Sequence, residues 1–166
     1  MKIGLISDTH SFLDNTVFDY FKECDEIWHA GDFGTVAIYD QLNAFKPTVG
    51  VYGNIDGQDV RIVLGEDLFF EREGLSIYMT HIGGSPGKYN PRVKKNISIH
   101  KPALFVCGHS HILRVVSDQA YNNMLYLNPG AAGKEGFHKM RTLLRFEINA
   151  GKIEKMQVIE LGLRGK

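Results

Sequence analysis

The sequence predicts an α/β fold built on two β-sheets, and three observations carry that expectation. Apolar strand-like runs alternate with helical apolar periodicity through the first third of the chain. In the second half, strand-like runs follow one another directly, and in both halves a run tends to end on Asp, Asn or His. Alternation is the pattern of a parallel sheet with right-handed crossovers, whereas adjoining strands require hairpins and so a second sheet.

Taken in order, Ile3 to Ser7 is a short apolar run ending in a polar residue, the form of a buried strand. Behind it Val17, Tyr20, Phe21 and Cys24 recur at helical spacing. Ile27, Trp28 and His29 make a second strand leading into Gly31-Asp32, and Thr35 is placed to cap a helix whose apolar stripe includes Ile38, Leu42 and Phe45. Thr48 to Tyr52 follows Pro47 and ends at Gly53-Asn54, completing a βαβαβ start. Leu68 to Glu71 and Leu75 to Thr80 flank Arg72-Glu73-Gly74, a hairpin turn in which Gly supplies positive φ. A helix with Val93, Ile97 and His100 on one face stops before Pro102, and Leu104 to Cys107 is the next strand. Leu113 to Ser117, Met124 to Asn128, Thr142 to Ile148 and Ile153 to Leu161 follow as strands, with turns at Asn122-Asn123 and from Asn149 to Lys152. Neither a repeat nor a long flexible linker interrupts this series, so residues 1–166 are expected to form a single domain.

With 43% hydrophobic and 23% charged residues the composition is ordinary for a globular protein. The 19 basic and 19 acidic side chains cancel, which removes the basic bias that duplex nucleic acid or an anionic membrane favours. No apolar run approaches the roughly 20 residues of a membrane span, and Asp8 and His10 arrive before a signal-peptide core could form. A cytoplasmic protein without membrane or duplex nucleic-acid partners is the expectation; self-association into a homo-oligomer is compatible with it. Cys24 and Cys107 lie far apart and in no CxxC pair, so they are expected to be buried thiols.

The chemistry sits at the strand ends. Asp8 and His10 follow the first strand, Asp32 the second, Asn54 the third, His81 the second hairpin strand, and His109 with His111 the strand through Val106. One such residue is ordinarily a turn former, but seven oxygen and nitrogen donors in five matching places are hard to assign to turns. The crevice beyond the carboxyl ends of strands is where α/β folds gather ligands. Carboxylate, imidazole and amide oxygen suit divalent ions such as manganese, iron, nickel, zinc or cobalt, and one aspartate, for which Asp32 is the candidate, can bridge two of them. Two ions about 3.5–4 Å apart can activate a bridging hydroxide for in-line attack on phosphorus.

The ordered set Asp8-Thr-His10, Gly31-Asp32, Gly53-Asn54, His81 and Gly108-His109-Ser-His111 resembles the calcineurin-like metallophosphoesterase superfamily. Size and the Asn128-Pro-Gly130 segment are similar to its small prokaryotic phosphodiesterases, the branch that also includes the retromer scaffold subunit. The resemblance implies two facing mixed β-sheets flanked by helices, an αββα sandwich, and a binuclear phosphodiesterase that uses a metal-bridging hydroxide on a small phosphodiester. Carried over position by position, Asp8, His10, Asp32 and His111 would hold one ion and Asp32, Asn54, His81 and His109 the other. Asp32, Asn54 and His109 take the catalytic roles, and Mn2+ is the expected ion, with Ni2+, Fe2+, Zn2+ or Co2+ as alternatives. One departure matters: many members carry a histidine after the metal-binding Asn, and here that residue is Ile55, which cannot protonate a leaving group. Weak activity on esters with poor leaving groups follows.

Other polar residues are read more plainly. His29, beside Trp28, is expected in the core, and His100 at a helix C-terminus on the surface. Asp56 either forms a turn with Gly57 or orients a ligating histidine. The glycine-rich, basic stretch Gly130 to Arg141 could place Lys134, His138 or Arg141 beside a phosphate; a solvated loop is the alternative. Gly83 to Lys88 falls one residue short of a phosphate-binding loop and has Tyr89 where Ser or Thr is needed. Asp32-Phe33-Gly34 lacks the companions of the kinase triplet, and Asn96-Ile97-Ser98 is a glycosylation sequon by letters only. Two functional rivals share the fold: a scaffold or protein-interaction module with little activity, and a phosphomonoesterase.

Overall fold

A computed structural model of the chain describes residues 1–165. The element order is β1 Lys2–Ile6, α1 Thr16–Phe21, β2 Glu26–His29, α2 Val36–Phe45, β3 Thr48–Gly50, α3 Gln58–Arg61, β4 Asp67–Arg72, β5 Leu75–Thr80, α4 Pro91–His100, β6 Leu104–Val106, β7 Leu113–Asp118, β8 Met124–Pro129, β9 Met140–Asn149 and β10 Lys152–Leu163, with a 3-10 turn at Gln119–Tyr121 between β7 and β8. Two mixed five-stranded sheets result, in the orders β10-β9-β1-β2-β3 and β4-β5-β6-β8-β7. In the first sheet β1, β2 and β3 run parallel out to one edge and β9 and β10 pair antiparallel on the other side; in the second, β5, β6 and β8 are parallel in the centre and β4 and β7 antiparallel at the two edges.

Strand alternation puts one face of each sheet into a shared core. Ile3, Leu5, Trp28, Leu144, Phe146 and Ile148 from the first sheet meet Leu75, Ile77, Met79, Leu104, Val106 and Leu127 from the second. The outer face of the first sheet is covered by α1, α2 and α3 through Val17, Phe21, Ile38, Leu42 and Val60. The outer face of the second is covered by α4, whose Val93 and Ile97 pack on Tyr78, Phe105 and Tyr126. The layers are therefore helix, sheet, sheet, helix, as the resemblance implies.

Local chemistry explains the element ends. Glu73 and Gly74 both have positive φ, so the β4–β5 turn has the two left-handed residues of the primed hairpin turn whose twist suits the strands. Asn90 caps α4 by accepting the Val93 amide at 2.9 Å, with Pro91 at the first helical position. Thr35 departs from expectation: it occupies the cap position of α2, but its side chain makes no capping bond, and the Val36 amide instead donates to the Asp59 carboxylate at 3.0 Å. The short helix α3, which supplies Asp59, has no apolar periodicity to announce it; its single buried residue is Val60. Among the described residues no helix is long and apolar enough to cross a membrane.

Candidate metal centre

Five loops leave the carboxyl ends of β1, β2, β3, β5 and β6, and they bring the seven donors together. Asp8, His10 and His111 form one group and Asp32, His81 and His109 a second; within each group the donor atoms lie within 4.8 Å of one another. Asn54 adjoins the second group, its Oδ1 3.0 Å from His109 Nδ1. The Asp32 Oδ2 oxygen stands between the groups, 3.5 Å from His10 Nε2 and 3.1 Å from His81 Nε2. Asp8 Oδ1 lies 3.2 Å from His111 Nε2.

Each aspartate is held by one oxygen and presents the other. Asp8 Oδ2 accepts from Ser7 Oγ at 2.7 Å and from the His109 amide at 3.1 Å, which leaves Oδ1 facing the histidines. Asp32 Oδ1 accepts the Ile55 amide at 3.0 Å, leaving Oδ2. The His81 ring is fixed from behind, because Nδ1 can only donate to the Ala30 carbonyl, 2.7 Å away, so in the neutral ring Nε2 carries the lone pair. Asp8 Oδ1, His10 Nε2 and His81 Nε2 are buried and have no hydrogen-bond partner. Buried polar atoms are rarely left so, and three of them converging on one spot, in an oxygen and nitrogen donor set, is what divalent metal would satisfy.

The backbone bears the cost of this convergence. Asp8, His10, Asp32, His109 and His111 are all non-glycine residues with φ between 48° and 68°. Left-handed conformation costs a side-chain-bearing residue about 1 kcal/mol or more, and strain of this kind collects at functional sites. The glycines of the sequence motifs serve a different purpose, close approach. A Cβ on Gly53 would fall 2.0 Å from Asp32 Oδ1, and one on Gly108 would fall 2.1 Å from Ser7 Oγ and 2.8 Å from Asp8 Oδ2.

The electrostatics follow from the mixture of charges. Burial disfavours the Asp8 and Asp32 carboxylates, but the imidazoles around them and, for Asp32, the Ile55 amide outweigh it and hold both carboxyls below the usual range. For His10 the Asp8 carboxylate leads, with Asp32 beside it, and the two raise its pKa despite partial burial. Burial works against a charge on His81, yet Asp32 and Asp8 beside it raise its pKa as well. His109 goes the other way, lowered by burial and by the neighbouring His81.

Residues 1–151 match the calcineurin-like phosphoesterase superfamily domain. The chain belongs to that superfamily. A probable metallophosphoesterase of Methanothermobacter thermautotrophicus is 31% identical over 143 residues, covering 79% of this chain and 77% of that protein. A phosphodiesterase of Methanocaldococcus jannaschii is 26% identical over 148 residues, covering 78% of this chain and 83% of that protein. In three dimensions, wild-type Vps29 of Entamoeba histolytica complexed with zinc aligns with a TM-score of 0.72 at 19% identity, over 96% of this chain and 99% of that one.

Around the donors of this metallophosphoesterase, the residues expected near phosphate are otherwise engaged. Arg141, expected beside phosphate, is buried, with Nη1 on Asp14 at 2.9 Å and Nη2 on the Leu161 carbonyl at 2.8 Å, and ties β9 to the β1–α1 loop and to β10. Lys134 is exposed and holds its ammonium over the Phe12 ring, 4.5 Å from the centroid, outside the metal pocket. His138 does line that pocket, but both of its ring nitrogens are engaged, one with His111 Nδ1 and the other with the Gly133 carbonyl.

Two supporting residues exceed what the sequence suggested. Asp56 is buried and accepts the Gly34 amide at 2.8 Å and the Gly53 amide at 2.7 Å, so it neither orients a histidine nor serves only a turn; it clamps the loops that present Asp32 and Asn54. Asn128 is buried and spans the β6–β7 loop, donating to the Gly108 carbonyl at 2.8 Å and to Ser110 Oγ at 3.1 Å. Its place in the Asn128-Pro-Gly130 segment was the available signal. His29 is fully buried and neutral, its pKa pushed down to about 3 by burial; its Nδ1 accepts the Gly31 amide at 3.1 Å. Both cysteines are buried and free.

Proposed function

We propose that this metallophosphoesterase is a binuclear phosphodiesterase, with one ion held by Asp8, His10, Asp32 and His111 and the other by Asp32, Asn54, His81 and His109. The observation that carries this reading is Asp32 Oδ2, which lies within 3.5 Å of His10 Nε2 and 3.1 Å of His81 Nε2, histidines belonging to different donor groups. Two divalent ions, manganese first among the candidates, would supply Lewis acidity toward phosphoryl oxygens and lower the pKa of a water nucleophile. The chain's part is to hold the carboxylates ionised, to fix the imidazoles through their second nitrogens, and to shape what enters.

The shape of the pocket favours diesters. It is lined by His10, Asp32, Asn54, His109, Ser110, His111, Gly136 and His138 with Ile55, Ile112 and Phe137 at its mouth, and no Lys or Arg is among them. Arg61 and Arg92 line an adjoining crevice, but Arg61 is bonded to the Asp56 and Gly53 carbonyls and Arg92 is paired with Asp67 and Glu66. A dianionic monoester would find no cationic side chain to meet its extra charge, whereas a monoanionic diester with an apolar substituent suits the exposed Ile55, Ile112 and Phe137. Ile55 has no proton to give and the one on His138 is committed to the Gly133 carbonyl, so water protonates the leaving group.

The test is turnover of an activated aryl phosphodiester and of its monoester counterpart, with manganese and after chelation. Diester turnover that chelation abolishes and manganese restores is the expected result. Monoester preference would replace the reading with a phosphatase. No turnover by folded, metal-loaded protein would overturn it in favour of a scaffold on the same fold.

A further inference from the structure

The segment between β8 and β9, residues 130–139, has no regular secondary structure, yet it is tied to the metal centre at several points. The Ala132 and Gly133 amides donate to the Ser7 and Asp8 carbonyls, each at 3.0 Å. Gly136 has φ +114° and passes so close to His111 that a Cβ there would lie 2.2 Å from Nδ1. Arg164, beyond β10, donates from Nε to the His138 carbonyl at 2.9 Å and so holds the end of the segment.

What this strap delivers is an imidazole. His138 Nε2 lies 3.0 Å from the Gly133 carbonyl, and its Nδ1 lies 3.2 Å from His111 Nδ1. A carbonyl oxygen only accepts, so His138 Nε2 must carry a hydrogen. In the neutral ring Nδ1 is then the acceptor, which requires His111 Nδ1 to carry the hydrogen between the two rings. In the neutral ring, His111 Nε2, the nitrogen 3.2 Å from Asp8 Oδ1, is then the one with a lone pair to offer an ion in the donor group. One backbone carbonyl therefore fixes the tautomers of two histidines in series.

We propose that His138 is a positioning residue: it locks His111 as the Nδ1–H tautomer, with the ring turned so that Nε2 faces the ion site shared with Asp8 and His10. The proposal rests on the metal assignment above, and it gives the glycine-rich segment a role other than substrate binding. Ligating histidines are generally oriented by a partner on the second nitrogen, and loss of such a partner weakens metal affinity about 10–100-fold. A histidine is an unusual partner here, because it can hold His111 only while Gly133 in turn holds it.

Nitrogen chemical shifts and long-range proton–nitrogen couplings of the histidine rings in metal-free protein test the tautomer directly, independently of turnover. The wild-type chain is expected to carry a hydrogen on His111 Nδ1 and on His138 Nε2, with His138 Nδ1 bare, whether or not His111 Nε2 also takes a proton toward Asp8 Oδ1. His138→Ala should release His111 into a tautomer mixture, and His138→Gln, whose amide oxygen can accept from Nδ1, should restore it. Manganese titration by calorimetry should then show one of two sites weakened about 10–100-fold in His138→Ala and largely recovered in His138→Gln. A wild-type His111 without a hydrogen on Nδ1, or one unchanged by His138→Ala, overturns the proposal; wild type alone decides the first point if a variant fails to fold. Manganese binding that ignores both substitutions also overturns it. A wild-type chain that binds no manganese while showing the expected tautomers would instead remove the metal reading above.

Discussion

Metal binding to this centre should release protons, and the number follows from the arrangement of charges. In the metal-free site the pKa values of His10 and His81 are raised, for His10 first by Asp8 and for His81 by Asp32 and Asp8 against the opposing effect of burial. A histidine ligates only when neutral, so ions must displace whatever protons these two rings hold. The Asp8 and Asp32 carboxyls are held below their usual range and are already ionised at neutral pH, so they contribute none. The sign is then determined: below the raised histidine values, affinity climbs with pH, and above them it levels off. Each proton displaced makes the apparent dissociation constant fall about tenfold per pH unit. Since His10 and His81 serve different ions, each ion's constant should fall up to about tenfold per unit below the raised histidine values, and the product of the two constants up to about a hundredfold. Calorimetric titration with manganese in two buffers of different ionisation enthalpy counts the protons directly; between one and two per chain are expected near pH 6. His10→Ala should remove about one of them. An affinity independent of pH, with no proton release, would refute the reasoning, since the histidines would then be neutral in the free protein or absent from the ion sites.

Replacing Asp32 by Asn should cut diester turnover by more than the roughly 100-fold typical of losing a mere ligand-orienting partner, with an unchanged circular dichroism spectrum; retained activity would remove the bridging role. Ile55→His should raise turnover of diesters with poor leaving groups by roughly 10²–10⁴-fold if the missing proton donor is the limitation, and leave activated diesters nearly unchanged; equal effects on both would refute this. Phe137, fully exposed at the pocket mouth, should lower KM for aryl diesters. Its replacement by Ala should raise KM about tenfold for an aryl substrate, by the burial of part of a ring, and not at all for a dimethyl one. His29 is held neutral down to about pH 3 in the folded chain, whereas the unfolded chain takes up its proton near 6.5. Stability of the metal-free protein should therefore fall by about 1.4 kcal/mol per unit as pH drops below 6.5, with His109 and His138, also lowered, adding in the same direction. Chemical denaturation across pH 4–7 measures the slope, which His29→Gln should reduce.

Strand and helix periodicity announced the layers because each element buries one face: Ile3 and Leu5 enter the inter-sheet core while Val17 and Phe21 cover the outer face. The short helix α3 was illegible because four residues with one buried side chain carry no period. The donors were legible for a different reason. Asp8, Asp32, Asn54, His81 and His109 each stand just past a strand, and a strand has a direction, so its end is a place that sequence can mark. Where the remaining polar groups point is set by contacts between segments distant in the chain, and no local pattern encodes those. Arg141 illustrates this: from the sequence it is a cation in a glycine-rich, phosphate-like setting, yet Asp14, 127 positions earlier, captures it. His138 was singled out by its glycine-rich setting, but its partners, a carbonyl five residues back and an imidazole 27 residues back, leave no mark in that setting. The glycines preceding Asp32, Asn54 and His109 show how far the local signal extends. In sequence they read as turn formers, but the structure requires Gly53 and Gly108 chiefly because side chains from another donor loop, Asp32 at Gly53 and Ser7 with Asp8 at Gly108, lie where their own would be. The motif thus records the packing of one donor loop against the next, which is why the ordered set identifies the site when none of its pieces does.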